Sequence, residues 1–251
     1  AQYIKAKLTN AVNIDAISPF PNDAFARLKG DDISFGAGLS VLWEPRKDTR
    51  VGFNYRSRID HKLKGDLNLS NVPGALAGVA ALQNAKVTAA VDTPDILSLG
   101  IVHEIDDQWS VMGDVAYTNW SLFKNLIVRQ ESSGVARQSV YENWHDTVFV
   151  ALGTEYKHSE DWTFRSGVAF DQGAVKTDTR TFRIPETDRF WVSGGATYAV
   201  SPDMNLDLGY THIFARDVRI TEDDAAATNG IVSGVAEGNV DILTAGVTWK
   251  F

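Results

Sequence analysis

The last segment of the chain, Asn239-Val-Asp-Ile-Leu-Thr-Ala-Gly-Val-Thr-Trp-Lys-Phe251, alternates between apolar and small or polar residues. Side chains of an extended strand point to alternate faces, so this alternation predicts a strand with one apolar face. The residues on that face are Leu243, Ala245, Val247, Trp249 and Phe251. About ten such residues, tilted by about 45°, span the apolar band of an outer membrane. An alternating last strand with a terminal aromatic residue is typical of bacterial outer-membrane barrels.

Composition narrows the class of protein. The chain has 251 residues, no Cys, 22% charged residues and a formal net charge of −8. No stretch approaches the roughly 20 apolar residues that a transmembrane helix needs, whereas a barrel strand needs only one apolar face. The acidic balance disfavours a nucleic-acid partner. No signal peptide is visible, because the residues from Ala1 onward already have strand character, so we expect a mature chain or a fragment.

Two-residue periodicity predicts about ten strands. Charged residues of the central strands fall on one face only, and a Lys or Arg on a lipid-facing side would cost about 2–4 kcal/mol. A two-sheet sandwich also alternates, so the pattern alone does not identify a membrane protein. The predicted strands are Gln2–Asn10, Asp32–Glu44, Arg50–Ile59, Asp95–Glu104, Trp109–Asn119, Thr147–Lys157, Trp162–Phe170, Arg189–Val200, Met204–Ile213 and the last strand.

The lengths of the connections favour a barrel over a sandwich. Short connections alternate with long ones along the whole chain, as the short periplasmic turns and long extracellular loops of outer-membrane barrels do. We therefore predict an all-β fold, an antiparallel transmembrane β-barrel that forms one domain over residues 1–251. The short connections are 45–48, 105–108, 158–161 and 201–203, and the long ones are 11–31, 60–94, 120–146, 171–188 and 214–238.

Tryptophans are expected at both ends of the predicted strands. Amphipathic aromatic rings at the two membrane–water boundaries form belts in membrane proteins. The alternative is that these side chains start strands or fill a core. Four tryptophans lie beside short connections or the C-terminus and three at the loop ends; they are Trp43, Trp109, Trp162 and Trp249, and Trp120, Trp144 and Trp191.

Six segments have a pattern that is similar to one known family; they are Gly52–Arg58, Lys64–Asp66, Asp161–Asp171, Ile184–Trp191, Gly194–Tyr198 and Asp207–His212. These segments resemble the outer-membrane long-chain fatty acid transporters, the FadL family. The resemblance runs from about Arg50 to Phe251 and implies a monomeric outer-membrane barrel of a Gram-negative bacterium. Such a barrel passes long-chain fatty acids or other hydrophobic compounds inward by passive diffusion. Family members also have an N-terminal plug and further strands that this chain lacks, so we expect a C-terminal portion of a longer protein, although ten strands could close alone.

Apolar residues in two predicted loops are candidates for ligand binding. The resemblance implies that these loops form an apolar groove at the mouth of the barrel. The second set recurs at near-helical spacing, which predicts a short amphipathic helix. Packing of each loop on itself is an equally good explanation. The candidates are Phe20, Phe25 and Leu28 in the first long connection and Leu76, Val79 and Leu82 in the second.

A fatty acid carboxylate would favour a cation inside the barrel. Among the cations predicted to face inward, Arg56 and Arg58 rank first, being two cations near the outer end of one strand. The alternative is pairing with inward acids such as Glu44, Asp114, Glu155 and Asp207. The full set of inward cations is Lys5, Lys7, Arg56, Arg58, Arg165 and Arg189. Besides the hydrophobic ligand, the expected partners are outer-membrane lipid or detergent and, through the strand ending at Phe251, the barrel-assembly machinery.

Motifs for catalysis or cofactor binding are not found in the sequence. The five His residues lack metal-binding spacing, and no nucleotide-binding loop is present. A triad of His145 and Asp146 with Ser132 or Ser133 is disfavoured, because loop residues so close in sequence seldom form one. We therefore expect no enzyme activity and no cofactor. The competing class is a structural or adhesive barrel whose loops bind surfaces and whose lumen is inert.

Overall fold

The computed structural model describes residues 1–12, 23–223 and 231–250, and this part of the chain is almost entirely strand. Its three helical segments are single 3₁₀ turns, and within the described ranges no helix is long and apolar enough to cross a membrane. The strands are β1 (Gln2–Val12), β2 (Ala24–Ser34), β3 (Gly38–Arg46), β4 (Thr49–Arg56), β5 (Ile59–Ser70), β6 (Ala85–Thr93), β7 (Ile96–Glu104), β8 (Trp109–Thr118), β9 (Asn125–Gln130), β10 (Ala136–Tyr141), β11 (Thr147–Lys157), β12 (Trp162–Asp171), β13 (Arg189–Ser201), β14 (Met204–Ala215), β15 (Val218–Asp223), β16 (Ile231–Ala236) and β17 (Asn239–Trp249).

Nine strands form one antiparallel sheet in the order β3-β4-β7-β8-β11-β12-β13-β14-β17. Strands that follow one another in this sheet are joined at one end by short turns such as 47–48 and 202–203, which confirms the predicted short connections. The two edge strands, β3 and β17, are not paired with each other, so the sheet is an open segment of a barrel wall. We call it the membrane sheet.

One face of the membrane sheet exposes large apolar side chains. Register pairs Leu152 with Val168 and Phe170 with Phe190, and these side chains are 64%, 44%, 46% and 46% exposed. The opposite face carries most of the glycines, together with polar residues and charges, and includes the pair Gly153 and Gly167. Exposed apolar and inward polar faces are the arrangement that a lipid-facing barrel wall requires, so the predicted fold class is confirmed.

Aromatic side chains cluster at the short-turn end of the membrane sheet. Trp109 stacks on Tyr156 at 4.5 Å between ring centroids, and Trp162 lies 4.7 Å from Tyr198. Trp191 does not belong to a lipid-facing belt, because it shares the inward face with its register partner Ala169. The prediction for Trp191 is wrong because closeness to a loop does not fix which face of the strand a side chain occupies.

A second sheet extends the wall at the long-loop end, in the order β1-β2-β5-β6-β9-β10. Three of its strands continue strands of the membrane sheet after short interruptions at 35–37, 57–58 and 94–95. The nine strands of the membrane sheet and β1 account for the ten predicted wall strands. The predicted loops 11–31, 60–94 and 120–146 instead contain much of this second sheet, which we call the outer sheet.

The apolar face changes sides between the two sheets. In β4 the odd-numbered Val51, Phe53 and Tyr55 lie on the lipid-facing side of the wall, as their register with β3 shows. In β5 the odd-numbered residues 59–63 are buried and the even-numbered residues 60–64 are exposed. Between them Ser57 makes two hydrogen bonds to the backbone of Ala37, each at 2.8 Å. The Ser57 N–H donates to the Ala37 carbonyl, and the Ser57 hydroxyl oxygen accepts from the Ala37 N–H. This irregularity shifts the phase of the alternation by one residue, as a β-bulge does.

Candidate ligand-binding face

The buried face of the outer sheet is almost wholly apolar. At its centre Leu67, Val87 and Val128 form a packed cluster, and each is 8% exposed or less. Burying each such side chain contributes about 1.5–3 kcal/mol to the stability of the outer sheet. A groove of about 150 Å³ follows this face, lined by Ala6, Leu8, Leu28, Leu63, Val91 and Leu126 among others. We call this surface the inner apolar face.

Two of the predicted loop residues close the top of the inner apolar face. Leu76 and Leu82 are each 8% exposed and pack with Ala24 at the start of β2. They lie on two separate 3₁₀ turns, Gly74–Leu76 and Ala80–Leu82. The predicted amphipathic helix is therefore wrong. Val79 has extended backbone, which breaks the helical spacing, and its side chain is 38% exposed.

The candidates of the first long connection separate from one another. Leu28 lies on β2 and lines the groove. Phe25 is 41% exposed and has the opposite parity on the same strand, so it points away from the inner apolar face. Phe20 lies outside the described residues. Because side chains alternate along a strand, Phe25 and Leu28 lie on opposite faces of β2, whereas in a loop they could have contacted the same ligand.

Arg56 stands where the membrane sheet meets the outer sheet. It lies opposite Gly38 on the inward parity of β4, and its guanidinium donates to the Gln2 side-chain oxygen at 3.2 Å. A cleft of about 340 Å³ adjoins it, lined also by Ser57 and Ile59. Ile59 begins the inner apolar face, so the cation and the apolar surface border the same space. Among the described residues Arg56 has no acidic partner within 4.0 Å.

Arg58 does not join Arg56. Its Nε lies 3.7 Å from Asp60, an exposed residue on the opposite face of β5 from Ile59. In an uninterrupted strand Arg56 and Arg58 would lie on the same face. The bulge at 57–58 instead places them on opposite faces of the wall. Lys5 and Lys7 are also misplaced by the sequence prediction: both are exposed, and their parity is opposite to that of Leu8, which lines the groove.

The other two arginine candidates are engaged by inward acids. Arg165 donates to Glu155 at 2.7 Å and to the Thr197 hydroxyl at 2.6 Å, and Thr197 in turn donates to Asp207 at 2.5 Å. Arg189 lies 2.9 Å from Asp171 and 3.5 Å from Glu186. These contacts agree with the alternative that inward arginines pair with inward acids.

A buried histidine near the lower edge of the inner apolar face was missed by the sequence analysis. His61 is 0% exposed, and its Nδ1 lies 2.9 Å from Asp32. The Ser34 hydroxyl, which donates to Asp32 at 2.5 Å, and the His61 ring hold the pKa of that carboxyl below its usual range. The His61 Nε2 is buried and has no hydrogen-bond partner among the described residues.

The residues of the disfavoured triad do not converge. The His145 ring meets the backbone oxygen of Asp146, whose carboxylate accepts bonds from Tyr117 and the Ser121 N–H. The two serines lie in the turn between β9 and β10 and bond within that turn, Ser132 with Gln130 and Ser133 with the Val135 N–H. The serine, base and orienting acid of a hydrolase are therefore not assembled here.

A wall of antiparallel strands with an apolar outer face and a polar inner face defines an outer-membrane β-barrel protein. Comparison with known proteins specifies its kind. The chain belongs to the outer membrane protein transport protein family (OMPP1/FadL/TodX), whose model matches residues 1–251. It is thus a chain of the outer membrane of Gram-negative bacteria, as its relatives are.

Two curated relatives and one solved structure illustrate the similarity. The long-chain fatty acid transport protein of Escherichia coli O6:H1 is 34% identical over 240 residues, which cover 90% of this chain and 51% of that protein. Outer membrane protein P1 of Haemophilus influenzae is 32% identical over 190 residues, covering 75% of this chain and 39% of that protein. The crystal structure of a Pseudomonas aeruginosa FadL homologue has a TM-score of 0.87 and 28% identity, over 98% of this chain and 62% of that one. The chain spans about half the length or less of these curated relatives.

Proposed function

We propose that the protein containing this chain takes up long-chain fatty acids or similar hydrophobic compounds across the outer membrane by passive diffusion. The observation that carries the proposal is the inner apolar face, which adjoins Arg56, a cation without an acidic partner among the described residues. Names of relatives support the substrate class, since one is a long-chain fatty acid transport protein. The mechanism needs no covalent chemistry, so we propose that the protein is not an enzyme.

The inner apolar face would hold the hydrocarbon chain of the ligand. Leu28, Leu63 and Leu126 line a groove whose surface is apolar along its whole length. Each methylene that moves from water onto such a surface gains about 0.8 kcal/mol. A long alkyl chain is therefore retained, and because the contacts are non-directional, ligands of different length and shape are accepted.

Arg56 would bind the carboxylate. A hydrogen bond to a charged group contributes roughly 1.5–3 kcal/mol, and the guanidinium matches a carboxylate in two-point geometry. Gln2, which now accepts a bond from Arg56, would be displaced or would share the cation. Arg58, although close in sequence, would not contribute, since it faces Asp60 on the other side of the wall.

Binding and uptake by the full-length protein test this proposal. Arg56→Gln should weaken binding of a long-chain fatty acid about tenfold or more while leaving the matching fatty alcohol within about twofold, since only the acid loses an ion pair. Arg58→Gln is the matched control, and it should change neither ligand. Uptake of labelled fatty acid in cells that lack their own transporter should follow the same order.

Two results would contradict the proposal. Equal loss of acid and alcohol binding in Arg56→Gln would assign Arg56 a structural role. No uptake by the full-length protein would favour a structural or adhesive barrel with an inert lumen. We further propose that the protein is a monomer; crosslinking in cells that yields a homodimer would contradict this. We also propose that its last strand is recognised during assembly in the outer membrane.

A further inference from the structure

The exposed face of the outer sheet is basic although the whole chain has a formal net charge of −8. Strand alternation and register bring the cations of five strands onto this face, opposite to the inner apolar face. They are Lys5, Lys7, Arg27, Lys29, Lys62, Lys64, Lys86 and Arg129, and all are exposed. The acids of this face are Asp31, Asp60, Asp66 and Asp92, so cations outnumber acids there.

A groove of about 430 Å³ lies within this basic face, between β5 and β9. Register places Lys64 opposite Thr88 and Thr88 opposite Arg129, so the three side chains form one row across neighbouring strands. Strands in a sheet lie about 4.8 Å apart, so two cations stand about 10 Å apart with a hydroxyl between them. Lys62 lies in the next row, opposite Ala90, whose small side chain keeps the floor open. We call this site the basic groove.

The cations of the basic groove are not neutralised by neighbouring acids. Asp66 is occupied by Lys86, which approaches it at 2.6 Å. In the part of the chain that the structure describes, Lys62, Lys64 and Arg129 have no acidic partner within 4.0 Å, although Asp31 stands opposite Lys64 in register. Arg129 donates one bond, to the Gly134 carbonyl at 3.2 Å, and keeps further donors for an anion.

The basic groove lies at the upper limit of the lipid-facing surface. On the same face, Tyr3, Ile33 and Phe35 are 58%, 61% and 77% exposed, as expected for side chains in hydrocarbon. One row farther from the short turns, the same face carries Lys5, Asp31 and Lys64, which lie opposite one another on β1, β2 and β5. Long loops of outer-membrane barrels are extracellular, so this row stands at the headgroups of the outer leaflet.

We infer that the basic groove binds the phosphate groups of lipopolysaccharide, the phosphorylated glycolipid of the outer leaflet. Basic side chains just beyond the apolar band of a membrane protein attract anionic headgroups. Lys62, Lys64 and Arg129 supply the charge, and Thr88 a hydroxyl donor, for one phosphate group. The inference concerns the opposite face of the wall from the ligand-binding face and does not depend on transport.

The test measures binding of fluorescent lipid A to the full-length protein in neutral detergent. The double variant Lys62→Gln plus Lys64→Gln should bind at least about tenfold more weakly, because each lysine near an anionic surface contributes measurably to binding. Lys47→Gln plus Lys157→Gln, which removes the same charge at the short-turn end, should stay within about twofold of the parent. Retained β-sheet circular dichroism shows that both variants are folded, and Arg129→Gln provides an independent single change in the same groove.

Three results would overturn the inference. The first is unchanged lipid A binding in both Lys62→Gln plus Lys64→Gln and Arg129→Gln. The second is equal binding of lipid A from which the phosphates have been removed. The third is binding of soluble pyrophosphate as tight as that of lipid A, which would make the groove a site for free phosphate.

Discussion

The Nδ1 atom of His61 lies 2.9 Å from a carboxylate oxygen of Asp32, and the imidazole is completely buried. The contact links β2 to β5 at the base of the outer sheet. Because Ser34 and His61 stabilise the charged form of Asp32, its pKa lies below its usual range in the folded protein. A carboxyl with a lowered pKa stabilises the folded state at neutral pH, and that stabilisation is lost as the pH falls through the folded-state pKa.

Asp32→Asn should therefore lower the thermal unfolding midpoint of the full-length protein at pH 7. The difference from the parent should shrink below about pH 4, where the unfolded chain begins to bind the proton. Circular dichroism melts between pH 3 and pH 7 measure this. Asp31→Asn is the control, since its side chain is exposed on the other face. Identical pH profiles for the parent and Asp32→Asn would contradict the assignment.

Gly65→Ala should disrupt the outer sheet. Gly65 faces Gly30 across β2 and β5, and a Cβ at Gly65 would overlap the backbone carbonyl of Lys29. The expected result is loss of the folded band in a heat-modifiability gel or a large fall in the unfolding midpoint. Gly52→Ala is the matched control, because its added methyl would meet nothing within 4 Å. Similar stability of the two variants would contradict the close backbone approach of β2 and β5 at this position.

Leu152→Arg should destabilise the barrel by about 2–4 kcal/mol, the cost of a basic residue facing hydrocarbon. Ala151→Arg, at the next position, should cost little, because Ala151 points inward and lies opposite Asp114 in register. The free energy of unfolding of the full-length protein in lipid vesicles, measured in denaturant, checks the comparison. Equal destabilisation by both variants would mean that the two faces are not distinguished by lipid.

Arg165→Gln should lower the free energy of unfolding by no more than about 1 kcal/mol, because exposed ion pairs contribute little. Arg165 is 46% exposed even though it contacts Glu155 at 2.7 Å. Since its charge is already paired with Glu155, fatty acid binding should remain within about twofold of the parent. A loss of acid binding that matches that of Arg56→Gln would place the carboxylate deeper in the lumen than we propose.

The membrane sheet was predictable because its strands carry a clear two-residue alternation between short turns. β12 is predicted to end at Phe170 and ends at Asp171, and the short turns fall where composition indicates them. Lipid contact makes one face of such strands uniformly apolar, so both the strand and its exposed side can be read from the sequence.

The outer sheet was not recognised, although β5 alternates as regularly as any strand. Its charged residues Asp60, Lys62 and Lys64 gave the stretch the composition of a loop. Periodicity also does not show whether a given face of a strand points into the barrel or away from it. The phase shift at 57–58 moves the odd-numbered residues from the lipid-facing side in β4 to the inward side in β5. The same ambiguity reversed the prediction for Lys5 and Lys7. Only the register across strands separates Arg56 from Arg58.

The central claim is that a hydrophobic ligand lies on the inner apolar face of the outer sheet. The most direct test is photo-crosslinking of the full-length protein with a long-chain fatty acid that carries a diazirine near its methyl end. Peptide mass spectrometry then locates the adduct to the residue. We predict adducts on Leu28, Leu63 or Val87, competed by unlabelled fatty acid. Competed adducts confined to Arg27 or Lys62 on the opposite face, or to the lipid-facing Phe53, would contradict the account.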